Sequence, residues 1–279
     1  MPKPTYDPAS LAFTHRHALT SAQIGETFQI DVALPPATPP PEGWPVVYLM
    51  DGNTIFGTAT ELIRLLTPTA ELPPMLLVGV GYQLAGPLRQ RRDLGRLRTR
   101  DLSPSVDHDY LDQIIAGTPG ADPRADIKRA AGAEDFLDFL IQDLRPFIAD
   151  RYPTNPSDQT LFGNSLGGLL SLHTLLTRPG AFQRHIASSP AIWWDDKSAL
   201  KLEASIPTTT PLSAKLFLSV GGLETNKPYD MVINHAELTA RLSARKDDSL
   251  VLMSHVFENE THGSVIPAAI SRGLRSVFA

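Results

Sequence analysis

An α/β fold, with a mostly parallel central sheet and helices on both of its faces, is what this sequence predicts. Three observations carry that prediction. Apolar runs of strand length recur along the chain, segments of helical periodicity lie between them, and a glycine-rich turn joins one such run directly to one such helix. Strands that alternate with helices call for parallel pairing through right-handed crossovers. The 279 residues, 42% hydrophobic and 20% charged, suffice for one sizeable core, so the expectation is a single domain over 1–279.

Taken in order, Phe28 to Leu34 alternates and reads as a half-buried strand. Residues 35–45 hold six prolines and form a stiff surface connection. Val46 to Met50 and Met75 to Val80 are continuous apolar runs, the pattern of strands buried on both faces, with a crossover helix over Ala59 to Leu66 between them. Residues 81–118 show little periodicity and many charges, which marks a surface excursion or a lid. Phe136, Leu140, Leu144 and Phe147 recur at helical spacing behind Glu134 and Asp135. Further strands are expected at Leu161–Phe162, His185 to Ala187, Leu216 to Val220 and Leu250 to Phe257. Helices are expected at Leu166 to Thr177, Met231 to Leu242 and Val265 to Phe278.

Composition narrows the function classes. A formal net charge of -5 argues against nucleic acid as a partner. The absence of cysteine removes thiol catalysis, thiolate metal sites and disulfides. No H-E-x-x-H and no dense carboxylate cluster appears, so neither a metal nor a cofactor is expected. Met-Pro-Lys-Pro-Thr-Tyr-Asp contains no apolar signal region, and no apolar run reaches the length of a membrane span. A cytoplasmic protein without a membrane partner is the expectation. Nothing in the composition sets an oligomeric state.

The turn that carries chemistry is Gly163-Asn164-Ser165-Leu166-Gly167. In a strand-to-helix context G-x-S-x-G places a serine on a strained turn, its Oγ above the sheet edge, and the glycines are needed where a Cβ would collide. The helix that follows offers its amides and positive dipole end to a developing oxyanion. Serine needs a base, and the base needs an orienting acid. His262, just past the last strand and before the last helix, is the candidate base. Glu224, 59 residues after Ser165 and 38 before His262, is the candidate acid in the order Ser, acid, His. Asp230, Glu258 and Glu260 remain rivals. The backbone amides of Leu166 and Asn53, the latter in the turn Asp51-Gly52-Asn53, are the expected oxyanion donors.

Together these residues resemble the esterase D-like branch of the α/β hydrolases, which includes the enterobactin and related siderophore esterases. The resemblance runs from about Val46 onward. It rests on Asp51-Gly52-Asn53, Arg100-Asp101-Leu102-Ser103-Pro104, Phe136-Leu137-Asp138-Phe139-Leu140, the serine turn, Ser189-Pro190-Ala191-Ile192-Trp193-Trp194, Gly221-Gly222-Leu223-Glu224 and Thr261-His262-Gly263-Ser264. It implies an α/β-hydrolase fold and hydrolysis of carboxylic esters by Ser165 and His262 with Glu224, without a cofactor. Iron would enter only inside the substrate. Asn164 departs from the family, where histidine often precedes the serine, and this implies a change in substrate choice.

For the substrate, Arg89, Arg91, Arg92, Arg96, Arg98 and Arg100 face a single acid, Asp93, within 83–100, a local net of +5. Guanidinium forks suit carboxylates and catecholates, and the faces of Trp193 and Trp194 suit flat rings. Arg92, Arg100, Trp193, Trp194 and Asn164 are therefore the candidate substrate contacts, and a small-molecule ester such as a ferric catecholate siderophore is the candidate partner. A solvated arginine face and one core tryptophan are the competing structural readings. A general aryl or small-acyl esterase, an acyltransferase and a non-catalytic binding protein on the same scaffold stand as functional alternatives.

Overall fold

The computed structural model describes residues 10–84, 90–116, 131–245 and 247–279. One eight-stranded sheet runs through it in the order β1-β2-β4-β3-β5-β6-β7-β8. The strands are β1 (Thr14–Ser21), β2 (Glu26–Ala33), β3 (Trp44–Leu49), β4 (Leu76–Tyr82), β5 (Thr154–Asn164), β6 (Arg184–Ser188), β7 (Ala214–Gly221) and β8 (Leu250–Phe257). From β4 to β8 all neighbours are parallel, whereas β2 is antiparallel to both β1 and β4. The antiparallel end follows from connection length. β1 and β2 are joined by a tight turn at Gly25, whose φ is 71° and whose N–H donates to Ser21 O, and only antiparallel strands can be joined so briefly. β1 carries the mostly polar sequence THRHALTS with few buried side chains, so its period is faint in the sequence. His15 and His17 lie on it and share the hydroxyl of Tyr152.

Alternation along the strands divides the core into two faces. Val47, Leu49, Leu77, Phe162, Ile186 and Phe217 point to one face, where α1 (Gly52–Leu66) and the C-terminal helix α9 (Val265–Phe278) cover them with Ile55, Phe56, Ile63, Ile270 and Leu274. Val46, Tyr48, Val78, Val80 and Leu161 point to the other. There they meet α2 (Gln90–Leu102), the α4 and α5 segments (Ala133–Asp138, Arg145–Ala149), which a π turn at Phe139–Leu144 joins, and α6 (Leu166–Thr177). On that face helix α7 (Trp194–Ser205) contributes Leu200, and helix α8 (Met231–Ala244) contributes Leu238 and Leu242, to a cluster with Leu216 and Leu218.

Two stretches differ from the sequence reading. α1 begins at Gly52, two turns earlier than the apolar period suggests, because Gly57 interrupts a face that Ile55, Phe56, Ala59 and Ile63 share. Within 81–118, the described residues contain helices α2 and α3 (His108–Ala116) rather than an aperiodic excursion. α2 is held down by buried Leu97 and Leu102, whose signal in the sequence is diluted by the arginines around them. No helix among the described residues is long and apolar enough to cross a membrane.

Candidate active site

Strands β3, β5, β6 and β7 are parallel, so the loops that leave their carboxyl ends gather at one edge of the sheet. Ser165 sits at the end of β5 with φ 60° and ψ −118°, a backbone strain the surrounding contacts hold in place. Its N–H donates to Ser188 O at 3.0 Å, and its carbonyl accepts from Leu169 N at 2.9 Å and Ala191 N at 3.1 Å. A Cβ on Gly163 would run into the carbonyl of Gly167, and one on Gly168 would lie 2.9 Å from Ser188 O. The glycines are thus required by close approach of strand and helix. Leu166 opens α6, and its amide is one of the orphan donors of that helix's first turn.

Glu224 and His262 come from the loops after β7 and β8. Nδ1 of His262 and Oε2 of Glu224 are 2.5 Å apart. The other carboxylate oxygen accepts from Ser189 Oγ at 2.6 Å and from Gly221 N at 2.8 Å. Burial alone would raise the Glu224 pKa, but the bonds from His262, Ser189 and Gly221 outweigh it and hold the carboxyl below its ordinary value. The carboxylate is buried while the imidazole is 48% exposed. That asymmetry suits an acid that stays ionised behind a ring that meets solvent and substrate. The two loops are joined by backbone bonds, Leu223 N to Glu260 O at 3.0 Å and Gly222 N to Phe257 O at 2.8 Å. Ser165, Glu224 and His262 line one cleft of about 430 Å³. Among the described residues, Glu224 is the one side-chain hydrogen-bond partner of the His262 ring. Contacts between a nucleophile and its base commonly tighten only when substrate is bound.

On the other side of the serine, Asp51 caps α1 with φ 59° and ψ 35°, and its carbonyl accepts from Thr54 N and Ile55 N. Asn53 lies in the first turn, and its side-chain amide pairs with the Tyr82 backbone in both directions, at 2.9 Å and 2.6 Å. It is Glu224, and none of the rivals Asp230, Glu258 and Glu260, that meets His262 Nδ1; Glu260 accepts from Ser264 Oγ, and Asp230 stands at the start of α8 without a side-chain capping bond.

A family model described as "Putative esterase" matches residues 104–251. The chain is 34% identical to the ferri-bacillibactin esterase BesA of Bacillus subtilis over 94% of its own length and 88% of that protein. It belongs to this esterase family. A siderophore triacetylfusarinine C esterase of Aspergillus fumigatus is 32% identical over 84% of this chain and 81% of its own. The crystal structure of a BES protein from Bacillus cereus superimposes with a TM-score of 0.83 at 31% identity, covering 100% of both chains. The protein is accordingly a carboxylic ester hydrolase.

In this esterase the remaining candidate contacts separate. Trp193 lines the cleft and meets Tyr229 at 4.6 Å and Tyr110 at 5.4 Å between ring centroids, so three aromatic rings form a wall beside Ser165. Trp194 is fully buried and donates through its ring N–H to Ser105 O. The pair sits in a turn that opens a helix, Trp193 having φ −65° and ψ −20°, so the split between core and cleft comes from that turn and not from strand alternation. Asn164 is also buried, and its side-chain oxygen accepts from Ser188 Oγ at 2.9 Å, which turns it away from a substrate. Arg100 is paired with Asp101 and Glu26 and does not line the cleft. The side chain of Arg92 lies outside the described residues. Ser189 and Arg98, given no role from the sequence, make direct polar contacts within the site. Ser189 could have been found from its place after β6, one strand over from the serine turn.

Proposed function

We propose that this esterase has the α/β-hydrolase fold over its whole length as one domain and hydrolyses siderophore-type esters through Ser165, His262 and Glu224. One observation carries the reading: a strained serine at a strand-to-helix turn shares a cleft with a histidine whose ring is bonded to a buried, ionised glutamate. Oγ of Ser165 attacks the ester carbonyl carbon while its proton passes to Nε2 of His262. Nδ1 stays bonded to Glu224, which fixes the tautomer and stabilises the imidazolium. The carbonyl oxygen becomes an oxyanion facing the amides of Leu166 and Asn53. The C–O bond to the alcohol breaks and the alcohol leaves with the proton from His262. Water, losing its proton to the same ring, then opens the acyl-enzyme and restores Ser165.

Substrate class rests on the relatives, named for ferri-bacillibactin and triacetylfusarinine C, and on the Trp193, Tyr110 and Tyr229 wall, which suits a flat aromatic acyl group. The test compares a ferric tris-catecholate trilactone with p-nitrophenyl butyrate, alongside fluorophosphonate labelling. The reading expects an adduct on Ser165 and turnover of the trilactone. Turnover of the butyrate alone would leave a general aryl or small-acyl esterase, and absence of any adduct would leave a binding protein.

A further inference from the structure

Arg98 stands behind the serine turn, bonded to its backbone, and the reaction scheme gives it no task. It projects from α2, and its Nε and one terminal nitrogen reach the two carboxylate oxygens of Asp51 at 2.5 Å and 3.1 Å. The same terminal nitrogen donates to the carbonyl oxygen of Asn164 at 3.1 Å. Both side chains are largely buried, 23% and 10% exposed. A guanidinium is built for this, because its planar fork engages a carboxylate in two places and still has donors left.

The two acceptors matter because of where they sit. Asn164 O belongs to the peptide bond whose nitrogen is that of Ser165, so Arg98 grips the serine turn by its backbone. Asp51 is the cap of α1, one residue before Gly52 and two before the Asn53 amide. β3 and β5 pair in parallel with Leu49 opposite Phe162, which brings Asp51 level with Asn164 at the adjoining strand ends. The last backbone bond between the two segments is Met50 N to Phe162 O, and beyond it Arg98 joins Asp51 to Asn164. It is the one described side chain that holds the Asp51 turn and the serine turn at once.

We propose that Arg98 is a positioning residue that sets the separation of the two oxyanion donors, the Asn53 amide at the start of α1 and the Leu166 amide at the start of α6. The proposal rests on the serine-esterase reading of Ser165 given above. Through Arg98, helix α2 becomes part of the catalytic frame although it touches no reacting atom. Donors aimed at a developing charge act through their placement, so a small change in their separation is felt in turnover far more than in ground-state binding.

The test uses R98K, R98Q and D51N in the full chain. Lysine keeps the charge but cannot span two carboxylate oxygens and a carbonyl, so R98K should behave like R98Q. D51N/R98Q removes the stranded charge that would destabilise either neutral single variant, and it keeps the test open if R98Q does not fold. On p-nitrophenyl butyrate we expect folded variants to lose at least about tenfold in kcat with KM within about threefold, a pattern of lost transition-state contact. Inactivation of Ser165 by a fluorophosphonate should slow in parallel. D51N/R98Q should be no worse than the more damaged single variant, since both act on one link. A folded variant with unchanged kcat and labelling rate overturns the proposal. So does a raised KM at unchanged kcat, which would make Arg98 a substrate contact. If the parent enzyme itself is not labelled at Ser165, the serine reading fails first and the proposal falls with it.

Discussion

Replacing Glu224 by glutamine isolates the charge of the acid from its shape. The amide keeps a carbonyl oxygen for Ser189 Oγ and Gly221 N, which lie 2.6 Å and 2.8 Å from Oε1. What it loses is the anion facing His262 Nδ1 at 2.5 Å. When the ring takes the proton of Ser165, the imidazolium and the carboxylate attract by about 4 kcal/mol for charge centres about 4 Å apart at an effective dielectric of about 20. The ring is 48% exposed, so solvent screens part of this, and about 3 kcal/mol is the working value. At about 1.4 kcal/mol per tenfold, E224Q should lose roughly a hundredfold to a thousandfold in kcat. The assay is steady-state hydrolysis of p-nitrophenyl butyrate from pH 5 to 9, with thermal unfolding as the control for folding. A folded E224Q within about fivefold of the parent across that range would refute the assignment of Glu224 as the working acid.

Four other outcomes follow from the same geometry. S165A should keep the parent's unfolding temperature and lose at least about a thousandfold in turnover, checked on purified protein. S189A removes one donor from Oε1 of Glu224, so a five- to tenfold fall in kcat is expected, about 1 kcal/mol. W193A should weaken binding of aryl esters more than of butyrate, read as the ratio of their KM values. Burial lowers the pKa of His185 to about 4, despite bonds to Ser171 and Phe182 that favour the charged form. The sign is that of a depressed folded pKa: the neutral ring's contribution is complete above the unfolded value near 6.5 and is lost as pH falls toward 4. The unfolding temperature should therefore drop between pH 6.5 and 4, and H185N should flatten that slope.

Much of the site is legible in the sequence because its signals are local. Gly163 to Gly168 announces itself within six residues, since two chain segments that close together leave no room for a Cβ. Glu224 and His262 each follow a strand with a readable apolar run, and from β5 to β8 the order of strands in the chain is their order across the sheet. Arg98 is different. Its acceptors stand 47 and 66 residues away, and five neighbouring arginines blur which one faces inward. The same blurring made Arg100 look free, although Glu26 on the antiparallel hairpin occupies it. That hairpin was half hidden too, because β1 is an edge strand whose exposed side chains obey no apolar period. Trp193 and Trp194 show the reverse case: one core ring is a competing reading in the sequence, but the turn that opens a helix at Trp194 decides which ring it is.

The loop that carries Glu224 combines immobility with freedom in neighbouring atoms. The main chain of Leu223 is fastened to Glu260, yet its side chain is 52% exposed and lines the cleft. Variation at that single position can therefore reshape what the enzyme admits without loosening the glutamate one residue further on. A lineage adapting to a new ester, or a laboratory library aimed at one, has a ready place to begin there.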